Sequence, residues 1–489
     1  MKAITLSQAG NALIWQTVQH FGAKAIFLLR LLILARLLSP DDFGLLAIAS
    51  VVIDVLMRIT DFGMIPALVQ RIEVDDQQYH VAWTVGVFRA FAVAVVTVLA
   101  APLVAALFSE PRAADIILVL SIRPLLEAAA SIKVAELTRN LRFRSLAFAE
   151  MPKALVNALV SIGLAQWLGV WALVAGTLAG PLAYATISYL IAPYRPRLSL
   201  DFKAGQSLIR FGRWIFLTGL VVMAGQTTLR LVIGRQLGAA DLGLYYLAAS
   251  LAFLPADMAS QVVGRVAFPF YSRLQANITQ SSAAYRSILT SLFTLLLPAL
   301  ALLIALSPSL VENVLSPEWS GTVPLIRVLA LANMIGLLGE TILPVLQGNG
   351  RPDRILLIEV VQSSLLISLA WLMASRYGVV GAALAWLPAV AGSQVIGVVF
   401  LRQILPRPFS HLGLAMGTIV AISMIAATAA IAVDNMIAGF AGFLSAGALG
   451  VSITVGLLWI LERRFALGLS DGLAWAFPQV AALVGLTRS

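Results

Sequence analysis

Apolar runs of about 20 residues follow one another along nearly the whole chain, parted by short polar turns. A run of that length crosses a bilayer as a helix. The pattern predicts about fourteen such spans, centred near Gly22, Val52, Ala94, Leu125, Leu159, Leu182, Val222, Ser250, Leu297, Ala332, Leu365, Leu387, Ser423 and Val451. Polar residues inside the runs fall on stripes. In the first span Gln16, Gln19, His20, Lys24 and Arg30 lie within roughly 140° of helix circumference at about 100° per residue. Asp54, Arg58 and Asp61 share one face of the second span, Arg123 and Glu127 one face of the fourth, and Glu150, Lys153 and Asn157 one face of the fifth. One wet stripe per helix predicts a common interior cavity lined by the stripes.

The pattern also repeats. With a shift of 199 residues, Arg36, Leu38, Asp42, Gly44 and Leu45 return as Arg235, Leu237, Asp241, Gly243 and Leu244. The same register pairs Trp15 with Trp214, Ala25 with Ala224, Leu32 with Leu231 and Ala49 with Ala248. The first twelve spans therefore form two groups of six, the second starting near Ile209. This predicts an all-α polytopic membrane protein with two parallel six-helix lobes, 1–200 and 201–405, followed by two more helices and a tail at 406–489. A repeated membrane lobe is the signature of a transporter, because two similar bundles can rock about a site held between them. The tail at 465–486 is apolar but interrupted by Asp471 and Pro478. It is expected on the membrane surface, with a fifteenth span as the alternative. Glycine and proline at Gly63 and Pro66, and from Pro344 to Gly350, mark candidate hinges, an ordinary helix stop being the simpler reading of the second.

Composition agrees with a membrane solvent. Of 489 residues, 60% are hydrophobic and 11% charged, a balance no soluble globular domain tolerates. Mean hydropathy is +0.94. Cysteine is absent, which excludes disulfides and thiol chemistry, and the three histidines, His20, His80 and His411, are too scattered for a metal cluster. The N-terminal run carries too many polar residues for a cleavable leader and is expected to be retained. No phosphate-binding loop and no hydrolytic triad stand out, so no enzyme activity, metal or cofactor is expected.

The net charge of +10 is distributed unevenly. Lys133, Arg139, Arg142 and Arg144, then Arg195, Arg197, Lys203, Arg210 and Arg213, then Arg265, Arg273 and Arg286, and later Arg351, Arg354, Arg402, Arg407, Arg463 and Arg464 occupy alternate loops. Such loops are cytoplasmic, which predicts cytoplasmic N- and C-termini and a linker between lobes at 193–212. The basic total reflects this topology, and no nucleic-acid partner is expected.

Ions within the spans carry the functional signal. Arg58 can pair with Asp54 or Asp61, Arg123 with Glu127, and Lys153 with Glu150, each within one helix. Lys24, Arg30 and Arg89 have no acid three or four residues away, nor does Arg230 in the second lobe. Snorkelling for Arg30 and Arg230, and interhelical pairing with Asp54 or Glu127 for Lys24 and Arg89, are the competing accounts. The positive surplus points to an anionic substrate, because guanidinium and ammonium groups suit phosphate oxygens. Candidate substrate ligands are Lys24, Arg30, Arg58, Arg89, Arg123, Lys153 and Arg230. Candidate gating or ion-coupling groups are Asp54, Asp61, Glu127, Glu150 and Asp257. In the second lobe Glu340, Glu359, Gln226, Thr227 and Thr228 add polar lining. The register sets Arg58 against Asp257, opposite charges that could meet across the pseudo-two-fold axis.

The stretches from Arg36 to Ala47 and Asp61 to Gln70 resemble the start of Wzx-type polysaccharide flippases, and those from Ile233 to Tyr245 and Phe268 to Gln275 resemble their second lobe, in the branch of colanic acid and succinoglycan exporters. The family belongs to the multidrug/oligosaccharidyl-lipid/polysaccharide exporter superfamily. The resemblance covers most of residues 1–405. It implies a V-shaped pair of six-helix lobes in the bacterial inner membrane and passage of an undecaprenyl-pyrophosphate-linked oligosaccharide from the cytoplasmic to the periplasmic leaflet, for exopolysaccharide or O-antigen synthesis. A cationic cavity is expected of the family, in keeping with Lys24, Arg30, Arg58 and Arg89. It further implies a monomer in contact with membrane lipids, working beside polysaccharide polymerase and chain-length machinery. The rival readings are a multidrug antiporter and a peptidoglycan-precursor flippase of the same superfamily, and a scaffold in which every charge is internally paired.

Overall fold

The computed structural model describes residues 6–61, 63–70, 74–199, 213–273, 277–410 and 412–465. Among them twelve helices are long and apolar enough to cross a membrane. Two further expected spans take other forms. One is α2 (Pro40–Ile59), whose Asp54 and Arg58 dilute its apolar character. The other is broken into α5 (Arg112–Leu120), α6 (Arg123–Ala128) and α7 (Val134–Arg139). The tail at 466–489 and residues 200–212 of the linker lie outside the described residues.

The chain divides into two compact units. The first comprises Met1–Arg213 together with Leu237–Gly243. It holds α1 (Leu6–Leu37), α2, the short α3 (Met64–Gln70), α4 (Asp76–Phe108), α5 to α7, α8 (Phe143–Leu168) and α9 (Val170–Ile191). The start of the repeated motif is a helix start. Ser39 caps α2: its Oγ accepts from the Asp42 N–H at 3.3 Å, the Asp42 carboxylate accepts from the Ser39 N–H at 3.1 Å, and Pro40 takes the first turn. Asp41 is held by Arg112 at the head of α5, at 2.7 Å, so α2 and α5 begin at the same end of the unit and run side by side.

Glycine permits the closest approaches. A Cβ on Gly44 would lie 1.8 Å from the Ala239 carbonyl oxygen, and one on Gly243 would lie 1.8 Å from that of Pro40. Gly44 and Gly243 are equivalents in the repeat, as are Pro40 and Ala239, so each contact is the copy of the other. Both fall inside the first unit, because Leu237–Gly243 belongs to it. Gly169, at φ +55°, is the one-residue turn between α8 and α9. Along that hairpin a Cβ on Gly176 would meet Ser161 Oγ at 1.9 Å, and one on Gly180 the Lys153 carbonyl oxygen at 3.1 Å. On α4 the opposite situation holds: Phe88, Phe91, Leu99 and Leu103 are exposed, as suits side chains in a lipid solvent.

One end of the first unit is knit by polar contacts. The Tyr194 hydroxyl and His80 Nδ1 lie 2.8 Å apart, and the Ser199 N–H donates to Thr84 Oγ1 at 3.0 Å, so residues 194–199 are tied to the head of α4. Burial above all, helped by Tyr189 and Asp76, pushes the Tyr194 phenol up to about 12.

The second unit comprises Trp214–Gln236 and Leu244–Ser489. It contains most of α10 (Arg213–Leu237) and α11 (Ala239–Arg273), then α12 (Ile278–Val314), α13 (Thr322–Gly348), α14 (Pro352–Leu384, kinked at Gly378 with φ +61°), α15 (Trp386–Ile404), α16 (Gly413–Met436) and α17 (Phe440–Phe465). The 37-residue α12 is its axis, packing on α13, α16 and α17. Leu297 of α12 joins Ile419 and Ile422 of α16 and Leu458 of α17 in one apolar cluster, which anchors the two additional helices. Helices α10, α11 and α13 to α15 are joined by hydrogen bonds that suit an apolar interior: Asn333 Nδ2 to the Ala252 carbonyl at 2.7 Å, Ser363 Oγ to the Val221 carbonyl at 3.2 Å, and Ser393 Oγ to Gln362 Oε1 at 2.7 Å. The cluster from Gly348 to Pro352 is an ordinary stop, with Gly350 at φ +68° between α13 and α14.

Candidate functional site

The intramembrane ions of the first unit gather into three groups. The first joins α2 to α6. Arg123 donates through Nε to Glu127 at 2.9 Å, one turn on in the same helix, and through Nη1 to Asp54 of α2 at 3.3 Å. Pro124 explains why Arg123 stands at a break. Proline has no N–H for the Leu120 carbonyl and its ring crowds that carbonyl, so α5 stops at Leu120 and α6 starts afresh.

The second group joins the end of α2 to α4. Arg89 Nη1 lies 3.5 Å from Asp61 Oδ1 and 3.4 Å from the Thr60 carbonyl oxygen. Asp61 is aimed by its own turn, since Oδ1 also accepts from the Gly63 N–H at 3.0 Å, where Gly63 has φ +66°. The third group joins α1, α8 and α9. Arg30 Nε donates to Ser161 Oγ at 3.3 Å, and Ser161 lies one turn beyond Asn157. Lys153 Nζ sits 5.2 Å from the centroid of the Tyr184 ring, a cation–π contact. The glycines of α9 bring its backbone close enough to fix these neighbours.

The pairings differ from the intrahelical ones that spacing suggests. Arg58 salt-bridges neither Asp54 nor Asp61, because Arg123 and Arg89 hold those acids; its side chain is exposed and has no salt bridge among the described residues. Arg123 has Glu127 as expected, and Asp54 in addition. Lys153 faces an aromatic ring rather than Glu150, which is half-buried on the same helix. Arg89, without an acid three or four residues away on its own helix, finds Asp61 just past the end of α2, in place of the Asp54 or Glu127 that the sequence suggested. Lys24 and Arg30 are half-buried and engaged.

In the second unit Ser260 of α11 makes a short hydrogen bond to Glu340 of α13. Asp257, one turn before Ser260, is exposed, and Glu359 on α14 is half-buried. Arg230 of α10 is half-buried and close enough to act electrostatically on the Tyr245 hydroxyl, which accepts from Trp386 Nε1 at 3.0 Å. No group of three or more histidine or acidic side chains able to hold a metal occurs among the described residues. Tyr184, Ser161 and Ser260 are site neighbours that the stripes did not name. Ser161 was within reach, since it continues the spacing 150, 153, 157 by one more turn. Tyr184 and Ser260 come from other helices, and only packing reveals them.

The arrangement offers fixed positive groups on the helices of the first unit: Arg89 and Arg123 are paired with acids, Arg30 meets a hydroxyl and Lys153 an aromatic ring. It can hold an anion, and it can exchange internal carboxylates for an external one.

The chain is similar to known proteins in sequence and in fold. Residues 33–324 match the family described as polysaccharide biosynthesis protein. The chain is 22% identical over 400 residues to the lipopolysaccharide biosynthesis protein WzxC of Escherichia coli (strain K12), covering 81% of this chain and 80% of that one. It is 25% identical over 338 residues to the succinoglycan biosynthesis transport protein ExoT of Rhizobium meliloti (strain 1021), covering 69% and 68%. Among solved structures, the lipid II flippase MurJ in an inward closed conformation superposes with a TM-score of 0.73 at 16% identity, over 93% of this chain and all (100%) of that one. An inward-facing multidrug resistance MATE family transporter of the MOP superfamily gives 0.59 at 16% identity, over 79% and 94%. At such identities these structures establish a shared fold.

Proposed function

The chain belongs to the polysaccharide biosynthesis protein family, and from that premise we propose that it is a flippase. It moves an undecaprenyl-pyrophosphate-linked oligosaccharide across the bacterial inner membrane by alternating access, for exopolysaccharide or O-antigen synthesis. It is a transporter rather than an enzyme. The names of its relatives, one of them a transport protein for succinoglycan biosynthesis, support this reading.

The observation that carries the choice of cargo is the sign of the balance. Six cations of the first unit stand in the proposed site (Lys24, Arg30, Arg58, Arg89, Arg123, Lys153) beside four acids (Asp54, Asp61, Glu127, Glu150). Arg58 has no salt bridge among the described residues and Lys153 faces a ring. An organic-cation antiporter needs the reverse. The diphosphate engages the cations of the first unit, while the glycan takes the polar path and the polyprenyl tail stays in lipid. Asp54, Asp61, Glu127, Glu150 and Asp257 are the groups on which gating or ion coupling acts. Both termini face the cytoplasm, the protein works as a monomer, and polymerase and chain-length machinery receive the product.

The test is flipping by purified protein in liposomes, with fluorescent oligosaccharides on undecaprenyl pyrophosphate, with and without an ion gradient. Translocation of polysaccharide repeat units is expected. Transport of cationic dyes alone, or of a peptidoglycan precursor alone, would replace this cargo by the corresponding one.

A further inference from the structure

The broken fourth span has a property that goes with Arg123. Helix α6 has only six residues, far below the length at which a helix holds itself together. At its upstream end the usual i→i−4 ladder gives way to a looser bond from the Ile122 N–H to the Val119 carbonyl at 3.3 Å, and Pro124 interrupts the next turn. Its position therefore depends on what surrounds it. It packs on α4 and α9, while its polar tether to α2 is the Arg123–Asp54 pair.

That tether is built to be exchanged. Glu127 belongs to α6 itself and stays with Arg123 however α6 moves. Asp54 is 45% exposed, Arg123 is 27% exposed, and their contact, at 3.3 Å, is the longer of the two. Partly solvated pairs of this kind are weak. A guanidinium binds a phosphate group in the same forked geometry as a carboxylate, and a diphosphate brings more negative charge than one aspartate. Arg123 lies 11 residues, roughly 16 Å, along its span from Arg112, about half the depth of a hydrocarbon core.

We propose that Arg123 is a substrate-exchanged tether: the diphosphate of the lipid carrier displaces Asp54 from its guanidinium, and this releases α6 from α2 as cargo is taken up. The inference rests on the flippase reading above and adds the residue that senses the diphosphate and the element that answers it. Asp54 then acts as an internal stand-in for the substrate anion, which keeps the cation satisfied between loads.

The chain has no cysteine, so a single Ile122→Cys substitution, at a half-exposed position in the break, reports on it alone. Full-length protein in liposomes is labelled with a water-soluble maleimide. Undecaprenyl pyrophosphate should change the labelling rate at least threefold, while undecaprenol and inorganic pyrophosphate at the same concentration should change it less than twofold. An equal response to inorganic pyrophosphate would overturn the assignment to the lipid carrier. Adding Asp54→Asn should reproduce the lipid-bound rate without lipid. Adding Arg123→Gln should give the same rate and abolish the response. An Asp54→Asn protein that elutes and melts like wild type yet labels at the unliganded rate overturns the tether. If wild type flips glycan but its labelling ignores the lipid, the tether fails and the flippase reading stands. If wild type neither flips nor responds, both fall.

Discussion

Each cation of the first unit predicts a different outcome on neutralisation, because each has a different partner. Arg58 is exposed and holds no acid among the described residues, so Arg58→Gln should cut flipping about tenfold, a transition-state loss near 1.4 kcal/mol, while thermal unfolding of the purified protein stays within a degree or two of wild type. Arg123→Gln should do both kinds of damage. It leaves Asp54 and Glu127 facing a gap where a cation stood, a cost of about 1–3 kcal/mol after discounting for solvent access. Lys153 separates ring from hydroxyl: Tyr184→Phe keeps the face that the ammonium sits on and should transport normally, whereas Tyr184→Ala removes about 0.5–2 kcal/mol of cation–π attraction and should weaken substrate affinity. The stripes that name these residues were legible in the sequence, because helical spacing alone puts Asp54, Arg58 and Asp61 on one face. Their partners were not. Asp61 reaches Arg89, and Asp54 reaches Arg123, only once helices distant in sequence pack, whereas a spacing rule confined to one helix offers Asp54 or Asp61 to Arg58.

The elements show the same division. Helices rich in aliphatic residues stand where hydrophobic runs placed them, since length and apolar content are local properties. The fourth span departs from a single rod, and the reason was present in the chain: Pro124 lies inside the run and removes a backbone donor. What could not be read was that the neighbours tolerate the break, with the Ser131 N–H meeting Ser188 Oγ at 2.8 Å and Ser131 Oγ meeting the Ala192 carbonyl at 2.7 Å. Glycine positions separate two costs. Gly63 has φ +66° but open space around its missing Cβ, so Gly63→Ala should cost about 1–2 kcal/mol of backbone strain and little activity. Gly176 has an ordinary helical backbone but Ser161 Oγ at 1.9 Å from its missing Cβ; Gly176→Ala should force α9 from α8, and with it Ser161 from Arg30. Melting temperature should fall in both, and transport chiefly in the second.

For the whole molecule, the repeat was the most legible feature and the balance of charge the most informative. A shift of 199 residues predicted two related halves, and the fold shared with solved structures agrees with the all-helical membrane architecture. The sidedness proposed for the chain has a direct measurement. Glu110→Cys, beside the Arg112–Asp41 pair, should react with an impermeant maleimide added to intact spheroplasts, and Arg144→Cys only after lysis. The reverse pattern would invert the proposed direction of transport. The reciprocal contacts of Gly44 and Gly243 bear on inheritance as well as packing. What blocks a side chain there is in each case a carbonyl oxygen, an atom every amino acid carries. Selection for revertants of Gly44→Ala should therefore return glycine at 44, or deletions that reset the turn before Pro40 or Ala239, and no replacement of residue 239 by another amino acid should rescue it. A duplicated ancestor that met itself at this point would have passed both glycines on together, each copy bound to the other by a main chain that substitution cannot edit.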